Sequence, residues 1–282
     1  MQFLAAGLAG ALLASCAQAP APLAAARPTA AMEANRRAES TLRAGDLDGA
    51  ALHYREALRV SQSLEDAEGI AANAINLSVV YQRQGKYAEA RASLAPLLER
   101  ATLNYAPVRQ AQAALRRAVL DLDERRHAGA SEWAERAAAW CGRPCGLTAA
   151  IENVKGQLAL ETGRHDAASA SARTALAAGR AAGDRAEAAN ALRLLGMAAI
   201  FAGDGATALV HLREALDIDR DLGMPRKIFL DLAGLGRASA LRGESAAARA
   251  YYERALAVST AGRDAAGAAE ARALIDALGG SK

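Results

Sequence analysis

A large side chain followed three residues later by an alanine recurs in one register along this chain. The segment Leu52–Leu58 has Tyr54 and Ala57 at these two positions, and the segments Val210–Leu216 and Ala250–Leu256 repeat the arrangement. Residues three apart lie on the same face of an α-helix. The large side chain fills the space between two helices, and the alanine lets the next helix approach closely. The pattern therefore predicts a series of closely packed helices.

Glycines divide these helical segments at a spacing of about forty residues. A glycine followed five residues later by an alanine occurs five times in this period, and the slot near residue 125 lacks the glycine. The five pairs are Gly45 and Ala50, Gly85 and Ala90, Gly163 and Ala168, Gly203 and Ala208, and Gly243 and Ala248. A period of this length is typical of an array of stacked helical units rather than of one globular core.

Six helix pairs and one last helix are predicted from this period. The predicted ranges are 33–44 with 47–64, 72–84 with 87–100, 108–123 with 130–140, a fourth pair within 148–182, a fifth within 185–223, a sixth within 227–262, and a last helix at 265–278. Asp264 is the expected N-cap of the last helix. The third pair is irregular, because its turn, predicted around residues 125–129, has no glycine at the expected place.

Composition favours an all-α fold. Hydrophobic residues make up 52% of the 282 residues but aromatic residues only 4%, so the apolar content is mainly alanine and leucine, which favour helix. The formal net charge is +3, and the arginines are spread along the predicted helices among glutamates and aspartates. We interpret these charges as a solvated surface, and we predict no nucleic-acid partner.

The order of motifs within each unit resembles the tetratricopeptide-repeat (TPR) family. The shared features are a leucine followed by a small residue, as in Leu195-Gly196, an aromatic residue such as Tyr81, a glycine turn and then alanines. The resemblance covers residues 32–278. It implies a right-handed α-solenoid of about six helix pairs in residues 32–264, followed by a capping helix and tail in residues 265–282.

The resemblance also implies a concave groove lined by the first helix of each pair, in which such proteins bind a peptide or a partner protein. Polar residues of the first helices are therefore the candidate partner-binding residues. By register they are Asn35, Asn76, Gln82, Arg116, Asn153, Gln157, Asn190, Arg193 and Arg237. Their amide and guanidinium donors would favour backbone carbonyls and acidic side chains, and plain solvation is the alternative interpretation.

Residues 1–15 are similar to a bacterial lipoprotein signal peptide. An apolar run over residues 3–14 is too short to span a bilayer, and Leu13–Cys16 resembles a lipobox. This implies lipidation of Cys16 and an outer-membrane lipoprotein that faces the periplasm of a bacterial cell envelope. An ordinary signal peptide and an alanine-rich tail with a chance cysteine are the alternatives. Residues 16–31, rich in alanine and proline, would form an extended tether.

Two cysteines remain if Cys16 carries a lipid. Cys141 and Cys145 are four residues apart, and disulfides persist in exported proteins, so we predict a local disulfide between them. A redox or metal site is the alternative. The spacing differs from that of a thioredoxin-like pair, and no cluster of histidines or carboxylates near them in the sequence completes a zinc site.

The sequence predicts no catalytic residues, no cofactor and no metal site. Its four histidines lack the spacing of a metal-binding helix, and it contains neither a glycine-rich phosphate loop nor a G-x-S-x-G motif. The predicted function is a non-enzymatic protein-interaction scaffold, attached to the membrane only through its N-terminal lipid. The alternatives are an accessory factor of a peptidoglycan or polysaccharide enzyme with a glycan-binding groove, and a cytoplasmic TPR regulator if the N-terminus is not exported.

Overall fold

The structure, a computed structural model, describes residues 30–99 and 103–279, and the regular structure in these ranges is entirely helical. Cys16, predicted to be lipidated, lies outside the described residues. The thirteen helices of this part of the chain are α1 (Ala30–Arg43), α2 (Leu47–Ser63), α3 (Ala67–Arg83), α4 (Tyr87–Leu98), α5 (Pro107–Asp123), α6 (His127–Cys141), α7 (Thr148–Glu161), α8 (His165–Ala182), α9 (Arg185–Phe201), α10 (Gly205–Asp221), α11 (Pro225–Leu241), α12 (Ser245–Ala261) and α13 (Ala265–Gly279).

Each helix packs against the next one in the chain, and each odd-numbered helix from α1 to α11 also packs against the next odd-numbered helix. The even-numbered helices make no such contacts with one another within the described residues. The odd-numbered helices therefore form the inner layer of the array and the even-numbered helices the outer layer. This arrangement is an α-solenoid, with the inner layer on its concave side.

Most successive helices are joined by a three-residue turn with a left-handed residue. After α3, for example, the Gly85 N–H donates to the Gln82 carbonyl (2.9 Å) and the Lys86 N–H to the Tyr81 carbonyl (2.8 Å), which ends the helix in a Schellman motif. The left-handed residues of these turns are Gly45, Glu65, Gly85, Arg125, Gly163, Gly203, Gly223, Gly243 and Arg263, and Gly183 has the same conformation in the two-residue turn between α8 and α9. The structural unit is therefore one helix and its turn, and the forty-residue period contains two units.

The third helix pair differs from its predicted boundaries. The turn occupies residues 124–126, and α6 begins at His127 rather than at Ala130. Arg125 adopts a φ of 56° and replaces the missing glycine. The Arg126 N–H still donates to the Asp121 carbonyl at 2.7 Å, so the helix ends as the glycine-containing turns do. Glycine is the easiest residue to place in this conformation, and the backbone hydrogen bonds compensate for using arginine instead.

Two connections depart from the regular pattern. Helix α4 contains Pro96 and ends at Leu98, earlier than predicted, and proline is a poor helix-interior residue because it lacks an N–H and crowds the preceding turn. Between α6 and α7, the sulfur atoms of Cys141 and Cys145 are 2.07 Å apart and form a disulfide.

Large and small residues meet between layers as the sequence pattern predicts. A Cβ atom at Gly196 would lie 2.5 Å from the Cγ of Leu212, and one at Gly236 would lie 2.2 Å from the ring of Tyr252. Tyr54, the corresponding large residue of α2, is buried. The inner and outer helices thus approach more closely than any residue with a Cβ would allow at these two glycines.

Candidate functional site

The concave side of the solenoid contains a groove of about 580 Å³. Helices α5, α7, α9, α11 and α13 all contribute to it, so it extends across most of the inner layer. Nine of the described residues that line it are apolar, and we call them together the apolar wall. The apolar lining residues are Leu115, Val119, Leu122, Ala150, Val154, Leu194, Met197, Leu230 and Ala233.

Five of the nine candidate partner-binding residues line this groove. They are Asn153, Gln157, Asn190, Arg193 and Arg237. The other four lie on the inner helices α1, α3 and α5 but do not line the groove. These are Asn35, Asn76, Gln82 and Arg116.

Arg116 and Gln82 connect α5 to α3 instead of facing a partner. The Arg116 Nε donates to the Ser78 Oγ at 3.2 Å, and its Nη2 donates to the Gln82 Oε1. Gln82 in turn donates to the Asp123 carboxylate. Burial lowers the pKa of the Arg116 guanidinium to about 10.

Arg193 lines the groove, but its guanidinium is held from below by two acidic residues. Its Nε donates to Asp231 Oδ1 at 2.7 Å and its Nη2 donates to Asp219. Asp219 belongs to α10 and Asp231 to α11, and both carboxylates are buried. We call Arg193, Asp219 and Asp231 the ion cluster. The sequence predicts a donor available to a partner at this position, with plain solvation as the alternative; in the structure Arg193 is instead an ion-paired group that joins three helices.

Asn190 connects this ion cluster to a row of polar lining residues, which we call the groove floor: Asn153, Glu187, Asn190 and Lys227. Its Oδ1 accepts hydrogen bonds from the Arg193 Nη1 at 3.0 Å and from the Lys227 Nζ at 2.9 Å. Its Nδ2 donates to the Glu187 carboxylate at 3.2 Å, which also accepts from the Asn153 Nδ2 at 2.7 Å. A continuous chain of hydrogen bonds thus runs along the groove floor from α11 to α7.

Burial changes the charge behaviour of two groups in this chain. It raises the pKa of Asp231 from 3.8 to about 7, against the opposing effect of the Arg193 charge. It lowers the pKa of the Lys227 ammonium, and the nearby Arg193 charge lowers it further. Both shifts favour the neutral form of the desolvated group, which is Asp231 beneath the groove and Lys227 in its lining.

Asn153 presents an unused acceptor in the same place. The residue is buried, and its amide nitrogen donates to the backbone oxygen of Glu187 at 2.9 Å and to the carboxylate of the same residue. Its Oδ1 has no hydrogen-bond partner among the described residues. A buried acceptor without a partner is costly, so a bound N–H or O–H donor would be stabilised here.

Sequence reasoning missed several residues of the groove because it considered only amide and guanidinium donors. Val154 and Leu194 directly follow the predicted residues Asn153 and Arg193, and Glu187 precedes Asn190 by three residues, one helical turn away. Extending the helical register to apolar and acidic residues would have found them. Lys227 lies in the first turn of α11, and finding it would have required the start of that helix at Pro225 to be known.

The part of the chain that the structure describes contains neither a candidate metal site nor a candidate membrane-spanning helix. There, no group of three or more histidine, cysteine, aspartate or glutamate residues could hold a metal ion. Over the same residues, no helix combines the length and apolarity that crossing a bilayer requires.

No protein-family model and no curated protein matches the sequence. Several solved structures match the fold. BtubC (BKLC) from P. vanneervenii is similar, with a TM-score of 0.58 and 20% identity over 82% of this chain and 92% of that chain. A Rap protein solved in complex with Competence and Sporulation Factor gives a TM-score of 0.61 and 14% identity over 88% of this chain and 70% of that chain. A tetratricopeptide repeat protein from Parabacteroides merdae gives a TM-score of 0.52 and 16% identity over 89% of this chain and 94% of that chain.

These similarities show the class of fold. This chain is a TPR-like α-solenoid, as the turn and alanine motifs predicted.

Proposed function

We propose that this protein is a non-enzymatic scaffold whose concave groove binds an extended segment of a partner protein through apolar side chains. The main observation in its support is the apolar wall that the four inner helices α5, α7, α9 and α11 build together. Such a surface is what a concave repeat protein offers to an extended segment. The Rap protein of similar fold was solved with a bound factor, which supports a binding role for this architecture.

The contacts in the groove change the expected chemistry of the partner. Arg116, Arg193 and Arg237 all have acceptors within the protein, the last one Glu270 at 3.0 Å. They are therefore poorly available to acidic side chains of a partner. The apolar wall and the free Asn153 Oδ1 instead favour apolar side chains next to a backbone N–H donor.

A glycan-binding groove is less well supported by the lining. Sugar rings stack on exposed aromatic side chains, and none of the described residues that line this groove is aromatic. We therefore do not propose glycan binding.

We further propose that the scaffold is anchored to the bacterial envelope by lipid on Cys16, for which the lipobox-like sequence Leu13–Cys16 is the support. Labelled fatty acid should be incorporated into the wild-type protein and not into a Cys16→Ala variant. Equal labelling of both proteins would contradict the anchor and would leave the groove proposal untouched.

Site-specific photocrosslinking in the native host tests the groove. A photoreactive amino acid is placed at Met197 or Gln157 in the groove, and for comparison at Leu52 or Val210, which are exposed on the outer helices α2 and α10. We expect a discrete protein adduct from the groove positions alone. A second substitution, Val154→Glu, should abolish the adduct by placing a charge in the apolar wall. Adducts from the outer positions, or adducts that persist with Val154→Glu, would contradict the proposal.

A further inference from the structure

Two buried carboxylates share one arginine beneath the groove. The side chains of Asp219 and Asp231 are 3% and 0% exposed, and Arg193 pairs with both. Burying a charge is costly unless another charge balances it, and one guanidinium balances one carboxylate. The second negative charge of this ion cluster therefore has no cation of its own.

A proton solves this imbalance. The Arg193 Nη2 donates both to Asp219 Oδ2 and, at 3.4 Å, to Asp231 Oδ2, so the two buried carboxyl groups lie next to each other. Adjacent buried carboxyl groups favour a state in which one of them carries a proton. Burial raises the pKa of Asp231 to about 7, which is in agreement with that state. With the proton, the ion cluster has no net charge, and without it the cluster has a charge of about −1.

The remaining charges around Asp231 do not supply a second cation in direct contact. Helix α9 contributes Glu187 besides Arg193, and α11 contributes Lys227, whose ammonium is bonded to Asn190. Asp264, which directly precedes α13, pairs with Arg226, and Glu270 on α13 pairs with Arg237. The charged residues of α12 beyond its first turn are exposed, and they are Arg249, Glu253 and Arg254.

This cluster is not required by the repeat. Its members lie ten residues before, sixteen after and 28 after the turn glycine Gly203. The residues at the same three positions around Gly45, Gly163 and Gly243 are Asn35, Ser61 and Asn73; Asn153, Gly179 and Ala191; and Ala233, Ser259 and Ala271. All nine are uncharged, so the acidic pair is a property of this one junction between helices.

The cluster is connected to the groove by short contacts. Arg193 itself lines the groove and bonds to Asn190, which accepts from Lys227, another lining residue. The surroundings of the ion cluster are partly desolvated. A unit change of its charge therefore alters the electrostatic energy of a charged group bound in the groove.

We propose that Asp219 and Asp231 share one titratable proton taken from solvent, and that this proton sets the charge of the groove floor. An anionic group of the occupant then binds more tightly when the pair is protonated, and a cationic group binds more tightly when it is not. The inference rests on the proposed function, since it concerns the regulation of the same groove.

The proton itself is tested by NMR of the protein labelled with ¹³C at aspartate carboxyl carbons. In the wild type we expect one aspartate to titrate near neutral pH, and this titration should be absent from Asp231→Asn, which imitates the protonated residue. The matched control is Asp217→Asn on the exposed face of α10, the helix that contains Asp219, and it should keep the titration. Titration of every aspartate below about pH 5 would overturn the proposal.

The effect on the groove is tested by calorimetry with three probes of equal chain length and fixed charge: octane-1-sulfonate, octyltrimethylammonium and octan-1-ol. Between pH 8 and pH 6, the affinity ratio of sulfonate to ammonium should rise about five- to twentyfold in the wild type. It should stay constant in Asp231→Asn and rise normally in Asp217→Asn.

The outcomes separate the two proposals. Normal binding of all three probes with a ratio that does not change with pH overturns the proton switch alone. Failure of all three probes to bind, or binding that Val154→Glu does not weaken, contradicts the groove as a binding site and the switch with it.

Discussion

The junctions that follow α1 and α9 are built at the same positions of the repeat but from opposite chemistry. The first has Asn35, Ser61 and Asn73, held by one long hydrogen bond from Asn73 Nδ2 to Ser61 Oγ (3.4 Å), and two of its amide oxygens have no partner among the described residues. The second is the ion cluster of Arg193, Asp219 and Asp231. A neutral junction therefore suffices to stack these helices. Charge at the second junction adds pH dependence and a connection to the groove, at the cost of burying ions.

The largest expected effect comes from removing the only cation of the ion cluster. Arg193→Asn should lower the free energy of unfolding by about 3–5 kcal/mol at pH 8, because two buried carboxylates lose their partner. Urea denaturation followed by circular dichroism measures it. The matched control is Arg237→Asn, whose ion pair with Glu270 is partly exposed and should contribute little.

Converting the whole cluster sharpens the same comparison. The triple variant Arg193→Asn, Asp219→Ser and Asp231→Asn recreates the first junction and should regain most of the stability that Arg193→Asn loses. If the triple variant is as unstable as the single one, the two junctions are not equivalent in packing.

The pH dependence of stability should distinguish the junctions as well. The pKa of Asp231 is raised in the folded state, so the native protein binds more protons than the unfolded chain between about pH 4 and pH 7. Its contribution to stability is present below this window and is lost as the pH rises through it, by up to about 1.4 kcal/mol per pH unit. Asp231→Asn should flatten this part of the profile, measured by urea denaturation from pH 5 to pH 8. An unchanged profile would mean that Asp231 is already ionised at pH 5.

One contact position between the inner and outer helices has a different residue in the two halves, and a glycine substitution can test what that residue contributes. Ser78 of α3 and Gly236 of α11 both lie seven residues before the turn glycine, but only the serine has a Cβ. Gly236→Ser should cost about 1–3 kcal/mol, because the new Cβ would overlap the ring of Tyr252. Thermal unfolding measures the loss, and Gly236→Ala separates the effect of the Cβ from that of the hydroxyl. A melting temperature equal to the wild type would place α11 and α12 farther apart than in this structure.

Helix capping gives the smallest expected effect. Asp66 caps α3 through a hydrogen bond from the Gly69 N–H at 3.0 Å, whereas Met224 at the start of α11 makes no side-chain bond. Asp66→Ala should therefore cost about 1 kcal/mol, and Met224→Ala should change stability by less than about 0.5 kcal/mol. Equal losses for both variants, measured by urea denaturation, would show that the Asp66 side chain does not act as a cap.

Much of the fold could be predicted because it depends on local signals. The glycine turns, the alanines and the large residues such as Tyr54 recur in register, and the solenoid follows from them. The missing glycine near residue 125 misled the prediction of α6, because a left-handed arginine cannot be distinguished from any other arginine in a sequence. Five of the nine candidate partner-binding residues line the groove, since helical register decides which face of a helix a residue occupies.

The sequence by itself determined the array, the inner and outer helices and the polar positions that face inward, because a repeat packs only against its neighbours and each unit obeys the same local rules. Only the tertiary structure decided which of those polar residues are free. In the sequence, Arg193 is a donor available to a partner. In the structure it bonds to Asp219 and Asp231, which lie 26 and 38 residues later in the chain. Ion pairing and desolvation depend on which groups meet across helices, and spacing along one helix does not contain that information.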